Sequence, residues 1–312
     1  MAIWDRYVAV VGGVNMDIGG QSFAKLVAGD SNPGTVCVSL GGVGRNIAHN
    51  LRLLGTDVRF LTAFGDDVYA QRIEASCAEL GIDISCALKV PGEATPTYLY
   101  LNDSDGDMAL AVSDMEICER ITPKYLEANL DILNGARAVV ADANIPEASA
   151  AYLAEHCRAP VFADPVSTRK AAKLKPVLGK IHTLKPNRME AELLSGIRIT
   201  DGESLRKAAR ALLDTGLKQV FISLGKDGLY AAGQEGERIQ PCCPARVRNT
   251  TGAGDAFMAA LVWAWMEGKD LADTCRAAAA AAAVATESAE TINPAMSAGA
   301  VAERMARMKE KE

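Results

Sequence analysis

Six short, largely apolar runs punctuate the chain, at residues 8–11, 58–62, 138–141, 161–163, 183–185 and 220–224. A strand that is apolar on both faces has to be covered on both faces. A mostly parallel sheet held between helical layers provides that cover. The segments between the runs supply the helices. Ile47, Leu51 and Leu54 share one helical face, with Gly55 as the stop. Helical periodicity recurs over residues 68–80, 124–133, 147–157, 188–194 and 204–213. The expected fold class is α/β, a three-layer α/β/α sandwich around a mostly parallel central sheet.

One stretch breaks the rhythm. Residues 97–101 and 108–112 flank the polar turn NDSDGD and read as a hairpin with no helix to cover it. With residues 14–20 and 35–38 it is expected to form a small β-sheet lid beside a single domain spanning residues 1–312. The plainer alternative is an edge hairpin of the main sheet.

Composition then excludes several function classes. The net charge is −6 and no run of Lys or Arg occurs, so a nucleic-acid surface is not expected. The eight cysteines form no C-x-x-C pair and there are three histidines, which argues against zinc. Scattered free thiols suit a reducing cytoplasm. Adjacent Cys242 and Cys243 read as small residues of a strand-like segment. The opening MAIWDRYVAVVGG has no long apolar core of the signal-peptide kind. The alanine run 277–283 is too short and too weakly hydrophobic to span a membrane, and is expected as a closely packed internal helix.

The chemistry concentrates in four stretches. In RNTTGAGDAFMAAL, Gly252 and Gly254 precede a buried helical pattern. A helix start leaves N–H groups unpaired and carries partial positive charge, and glycine lets an anion approach the backbone. A carboxylate at Asp255 would repel a phosphate held there, unless it takes the proton of an attacking hydroxyl. Capping the helix is the other role open to Asp255. In LKPNRMEAELL, Asn187 and Glu190 have the spacing of a capping box, and equally that of two groups facing phosphate and a magnesium-bound water. In VVGGVNMDIGG, Asn15 and Asp17 alternate onto one side, where together they suit the vicinal hydroxyls of a sugar; a turn is the alternative. GGVGRN is glycine-rich before a helix but lacks G-x-G-x-x-G spacing, and no G-x-x-x-x-G-K-[ST] loop occurs.

The order of these stretches, GGVNMD, GGVGRNIAHNLRLLG, KPNRMEAE and NTTGAGDAF, resembles the ribokinase-like (PfkB-type) carbohydrate kinases along essentially the whole chain. The resemblance implies an ATP-dependent kinase whose base is Asp255, with the backbone at Gly252, Ala253 and Gly254 stabilising the transferred phosphate. It implies ATP contacts at Asn187, Thr250 and the ISLGKDG turn, through Ser223, Gly225, Lys226 and Gly228, and Mg2+ at Glu190, through water. Asn15, Asp17, Gly41, Gly42 and Asn46 would hold the sugar. Asn249 stands where the family usually has an aspartate, which weakens the case for a monovalent cation.

The lid-side stretches AGDSNPG, VPGEATPTYLYL, VSDMEI, VADANI and FADPVS resemble a nucleoside-specific branch of the family. They imply the 5′-hydroxyl of pseudouridine as acceptor, with Thr97, Ser113, Asp114 and Lys170 as candidates to read the base. Another nucleoside, a ribose-like sugar, or a non-catalytic sugar or nucleotide sensor are the alternatives. A homodimer through the lid sheet is expected, with no membrane partner.

Overall fold

The computed structural model describes residues 7–309. Eight strands form the central sheet, in the order Gly236–Gln240, Leu229–Gly233, Gln219–Ser223, Thr183–Leu184, Val161–Asp164, Ala138–Asp142, Tyr7–Val11 and Asp57–Leu61. The last six run parallel, and they are the six apolar runs of the sequence. The first two add an antiparallel hairpin at one edge. Helices cover both faces and build two cores. One packs Val8, Val10, Phe60 and Phe221 against helices Val43–Leu53, Ala253–Met266 and Leu271–Thr286. The other packs Val11, Val139, Leu184 and Val220 against helices that include Glu147–His156 and Gly202–Leu213. The α/β sandwich expected from the apolar runs is therefore the fold.

Alanine decides the closeness of the first core. Ala277, Ala278, Ala280 and Ala281 of Leu271–Thr286 are fully buried, so that helix lies close against Ala253–Met266. The run is internal packing, and among the described residues no helix is long and apolar enough to cross a membrane. The helix expected at 124–133 is two, Pro123–Ala128 and Leu130–Gly135. Asn129 ends the first with φ −111° and ψ 14°, and its carbonyl begins the second by accepting from Ile132 and Leu133.

A separate four-stranded sheet stands beside the sandwich, in the order Gly34–Gly41, Asn15–Ser22, Thr97–Asn102 and Met108–Asp114. It contains the hairpin and both flanking segments expected of a lid. The hairpin is therefore not an edge of the main sheet. Strand Tyr7–Val11 stops at Gly12 and Gly13, and the chain crosses directly into the lid at Asn15. The carboxyl ends of the parallel strands thus open beneath the lid, where an α/β sheet offers its crevice.

Candidate active site

Gly252 begins the helix that carries Asp255. Its φ is +80°, and a Cβ there would sit 2.1 Å from the Thr291 carbonyl oxygen, so only glycine fits. The N–H groups of Gly254 and Asp255 find no acceptor among the described residues. The start of Ala253–Met266 therefore presents unpaired donors and the positive end of a 14-residue helix. Asn249 steadies this turn. Its amide donates to the Ala289 carbonyl at 3.1 Å, and its Oδ1 accepts from the Thr251 N–H at 3.0 Å.

The Asp255 carboxylate bonds to no helix N–H among the described residues, so it does not act as a cap. Its Oδ2 accepts instead from Asn46 Nδ2 at 2.9 Å. Asn46 is 5% exposed, and its Oδ1 has no partner among the described residues. A buried acceptor without a donor is costly unless a ligand supplies one. Burial, then the nearby charge of Asp164, pushes the Asp255 carboxyl up to about 8, against the opposing pull of Asn46 and Lys185.

Three buried side chains that sequence reasoning missed surround this carboxylate. Asp142, Asp164 and Lys185 end three neighbouring parallel strands or directly follow them. Lys185 Nζ meets Asp164 Oδ2 at 3.1 Å, and both residues are almost fully buried. Burial alone would lower the Lys185 ammonium, but Asp164, Glu190 and Asp255 together hold it above its ordinary value. Asp142 accepts from the N–H groups of Gly13, Gly44 and Asn144 at 2.7–2.9 Å, fastening the two glycine turns to the sheet. Burial raises its carboxyl to about 6, against the N–H of Gly13. The available signal was positional: each is a charged residue at the carboxyl end of an apolar run.

The glycine turn of GGVGRN closes the corner expected to hold the sugar. Gly42 caps helix Val43–Leu53, and Gly41 lies against Asp17, where a Cβ would fall 2.2 Å from Oδ2. Asn15 Nδ2 donates to Asp17 Oδ1 at 2.6 Å. Asp17 is raised by burial, while Asn15 and the guanidinium of Arg45 favour its ionised form. Asn15, Asp17, Gly41, Gly42 and Asn46 are thus brought together.

The lid candidates divide. Register pairs Asp17 with Ser39, Tyr98 and Ser113, so Ser113 shares its face. Thr97 and Asp114 pair with each other, and Thr97 with Met16, which puts them on the opposite face. As side chains they are therefore withdrawn as readers of the base. Lys170 is half-buried rather than on a solvated helix face, and one hydrogen bond leaves its ammonium further donors. Its Nζ donates to Asn144 Oδ1 at 2.5 Å, and burial lowers its pKa.

On the far side of Asp255 lies a cavity of about 550 Å3. Ser223, Gly225, Lys226, Gly228 and Thr250 line it together with Ala253 and Gly254. Asn187 joins its rim through a bridge to Ser223. Cys242 and Cys243 lie on its wall in irregular chain rather than in a strand, and Cys242 Sγ donates to the Gly225 carbonyl at 3.1 Å. Asn187 and Glu190 form a complete capping box at the start of Arg188–Ser195. Glu190 Oε2 accepts from the Asn187 N–H at 2.8 Å, and Asn187 Oδ1 from the Glu190 N–H at 3.0 Å. The arrangement is an anion hole and a proton acceptor between a small polar corner and a larger cavity.

The profile of the pfkB family of carbohydrate kinases matches residues 5–298. The chain belongs to the pfkB carbohydrate kinase family. This kinase is 41% identical over 293 residues to the pseudouridine kinase of Escherichia coli (strain K12), covering 93% of this chain and 94% of that protein. It is 39% identical over 297 residues to the uncharacterized sugar kinase YeiI of the same organism, covering 94% and 82%. The structure of Arabidopsis thaliana ribokinase complexed with ribose and ATP superposes with a TM-score of 0.86 at 26% identity, covering 96% of this chain and 98% of that one. The kinase is a phosphotransferase with an alcohol group as acceptor.

Proposed function

We propose that this kinase transfers the γ-phosphate of ATP to the 5′-hydroxyl of pseudouridine. The observation that carries the chemistry is the Asp255–Asn46 pair, where a carboxylate with a pKa near 8 adjoins a buried amide oxygen that lacks a donor. A second hydroxyl of the acceptor donates to that amide oxygen, while the attacking 5′-hydroxyl faces Asp255. Its proton passes to Asp255 as the 5′-oxygen bonds to phosphorus, and the bond from the γ-phosphorus to the ADP oxygen breaks. The unpaired N–H groups after Gly252 hold the charge that develops on the phosphoryl oxygens. ATP occupies the cavity lined by Ser223, Gly225 and Lys226. Likeness to the E. coli pseudouridine kinase over nearly the whole length supports the choice of acceptor. The comparable likeness to a sugar kinase keeps a ribose-like acceptor as the second reading.

Mg2+ fits only as an ion shared with the nucleotide. Among the described residues no group of three His, Cys, Asp or Glu side chains could hold a metal. One Glu190 oxygen is committed to the Asn187 N–H, which leaves Oε1 to accept from a water on the ion. Glu190→Gln preserves the capping geometry, since Gln also serves at that position. The variant is expected to keep its thermal midpoint and to need more magnesium for half-maximal rate. Identical magnesium titrations would leave Glu190 a capping residue alone. Asn249 weakens the case for a monovalent cation at the 249–252 turn, because it brings an amide where a carboxylate would serve a cation and donates to the Ala289 carbonyl.

The outer lid face supports a homodimer. Val36, Leu110 and Val112 are 75%, 57% and 58% exposed, and they share that face with Val38, Leu99 and Leu101. A contiguous aliphatic face of this kind marks an association surface. Sedimentation should give a dimer for wild type and a monomer for Leu110→Lys/Val112→Lys. The eight free cysteines fit a cytoplasmic setting.

The deciding experiment is ADP release with pseudouridine, uridine, cytidine, adenosine and ribose. Uridine lacks the ring N–H that pseudouridine gains from its carbon linkage. A site paired to that N–H is expected to favour pseudouridine by up to roughly 10⁴-fold in kcat/KM. Preference for ribose or adenosine would overturn the acceptor and leave the phosphotransfer chemistry standing.

A further inference from the structure

The inner face of the lid differs in kind from the outer one. Pairing places Asp17, Tyr98 and Ser113 in one row, and Gly19, Tyr100 and Cys37 in the next. The outer rows carry Leu and Val, whereas these rows carry the two rings. Tyr100 lies across Gly19: a Cβ on that glycine would sit 2.5 Å from both Cζ and the phenol oxygen. The strand gives up a side chain at that position so that the ring can lie flat against it. Tyr98 stands 5.9 Å from Tyr100, centroid to centroid, with the planes tilted by 36°. Its hydroxyl approaches Met108 Sδ at 3.5 Å. Neither ring enters the two cores of the sandwich, and both remain half-exposed.

The rings begin at Asp17 and run outward from it along the lid. Asp17 also raises the Tyr100 phenol, after burial, which is consistent with their closeness. A free sugar seated on Asn15 and Asp17 would leave both rings uncovered. A sugar bearing a planar ring on C1 would place that ring against them. We propose that Tyr98 and Tyr100 form a stacking wall for the nucleobase, and so determine specificity for a nucleoside over a free sugar. The inference rests on the sugar seat proposed above and deepens it. A base stacked on an aromatic side chain is held through its π face, which every base has. The wall therefore selects nucleosides as a class and leaves the choice among them to polar groups.

The test compares Tyr98→Leu and Tyr100→Leu with Tyr98→Phe and Tyr100→Phe in the full chain. Pseudouridine is followed as substrate, and ribose as substrate or as a competitor of pseudouridine. Each Leu variant is expected to raise KM for pseudouridine on the order of 10–100-fold. The maximal rate should hold within about threefold, the ribose affinity should move less than about twofold, and Phe should restore most of the nucleoside affinity. Equal losses for ribose and pseudouridine, an unchanged KM for pseudouridine, or Phe no better than Leu would each overturn the wall while leaving the nucleoside kinase intact. Wild type that favours ribose over every nucleoside would overturn both.

Discussion

Asp255→Asn is expected to lower kcat by about 10²–10⁴-fold, the range for losing a general base, with little change in the affinity for either substrate. Asn keeps the size of the side chain and an acceptor for the Asn46 amide, but it cannot take a proton. The wild-type profile should carry the same signature. Burial holds this carboxyl up at about 8, so kcat/KM should rise with pH through that value and then level, and the variant should lack that rise. The effect on stability has the opposite sign. Between 3.8 and about 8 the folded protein holds a proton on Asp255 that the unfolded chain has released. Stability from this group therefore falls as pH rises through that window. The Asn variant does not ionise, so it should become progressively more resistant to urea than wild type as pH is raised toward 8. Wild-type turnover in the variant would reduce Asp255 to a structural group.

The parallel half of the sheet could be read from the sequence because strands buried on both faces have no polar alternation to confuse them. The antiparallel hairpin of Leu229–Gly233 and Gly236–Gln240 was not read, although Gly233 and Gly236 mark its turn. Its first strand follows directly on the glycine turn at Gly225 to Gly228, whose reading as a nucleotide loop masked it. Residues 124–133 read as one helix because Leu126 and Leu133 both belong on a buried face, and both are buried; the break at Asn129 leaves that pattern intact. At the site, glycines and their neighbours were legible because backbone geometry constrains residue type. Asp142, Asp164 and Lys185 were not, because a charged residue at a strand end has no local mark of which way it points. Thr97 and Asp114 failed for the related reason that only register assigns a face in a sheet, and a shift of one residue exchanges the two.

The buried Lys185–Asp164 pair gives the last expected result, on two readouts at once. Lys185→Met fills similar space and leaves Asp164, 4% exposed, without its cation. Removing one partner of a buried pair costs roughly 3–5 kcal/mol, far more than a surface pair would, because the remaining charge is stranded. Urea unfolding should show a loss of that order. Asp164→Asn/Lys185→Met removes both charges of the pair and should recover most of it. The same charges act on Asp255 with opposite signs: Asp164 raises its pKa and Lys185 lowers it. The midpoint in the pH dependence of kcat/KM should therefore move above about 8 in Lys185→Met and below it in Asp164→Asn. A purely structural role for the pair would change stability and leave both midpoints in place. Shifts in opposite directions would show that the lysine beneath the anion hole keeps the base ionisable near neutral pH, which gives a physical reason for a costly buried ion pair at the end of these two strands.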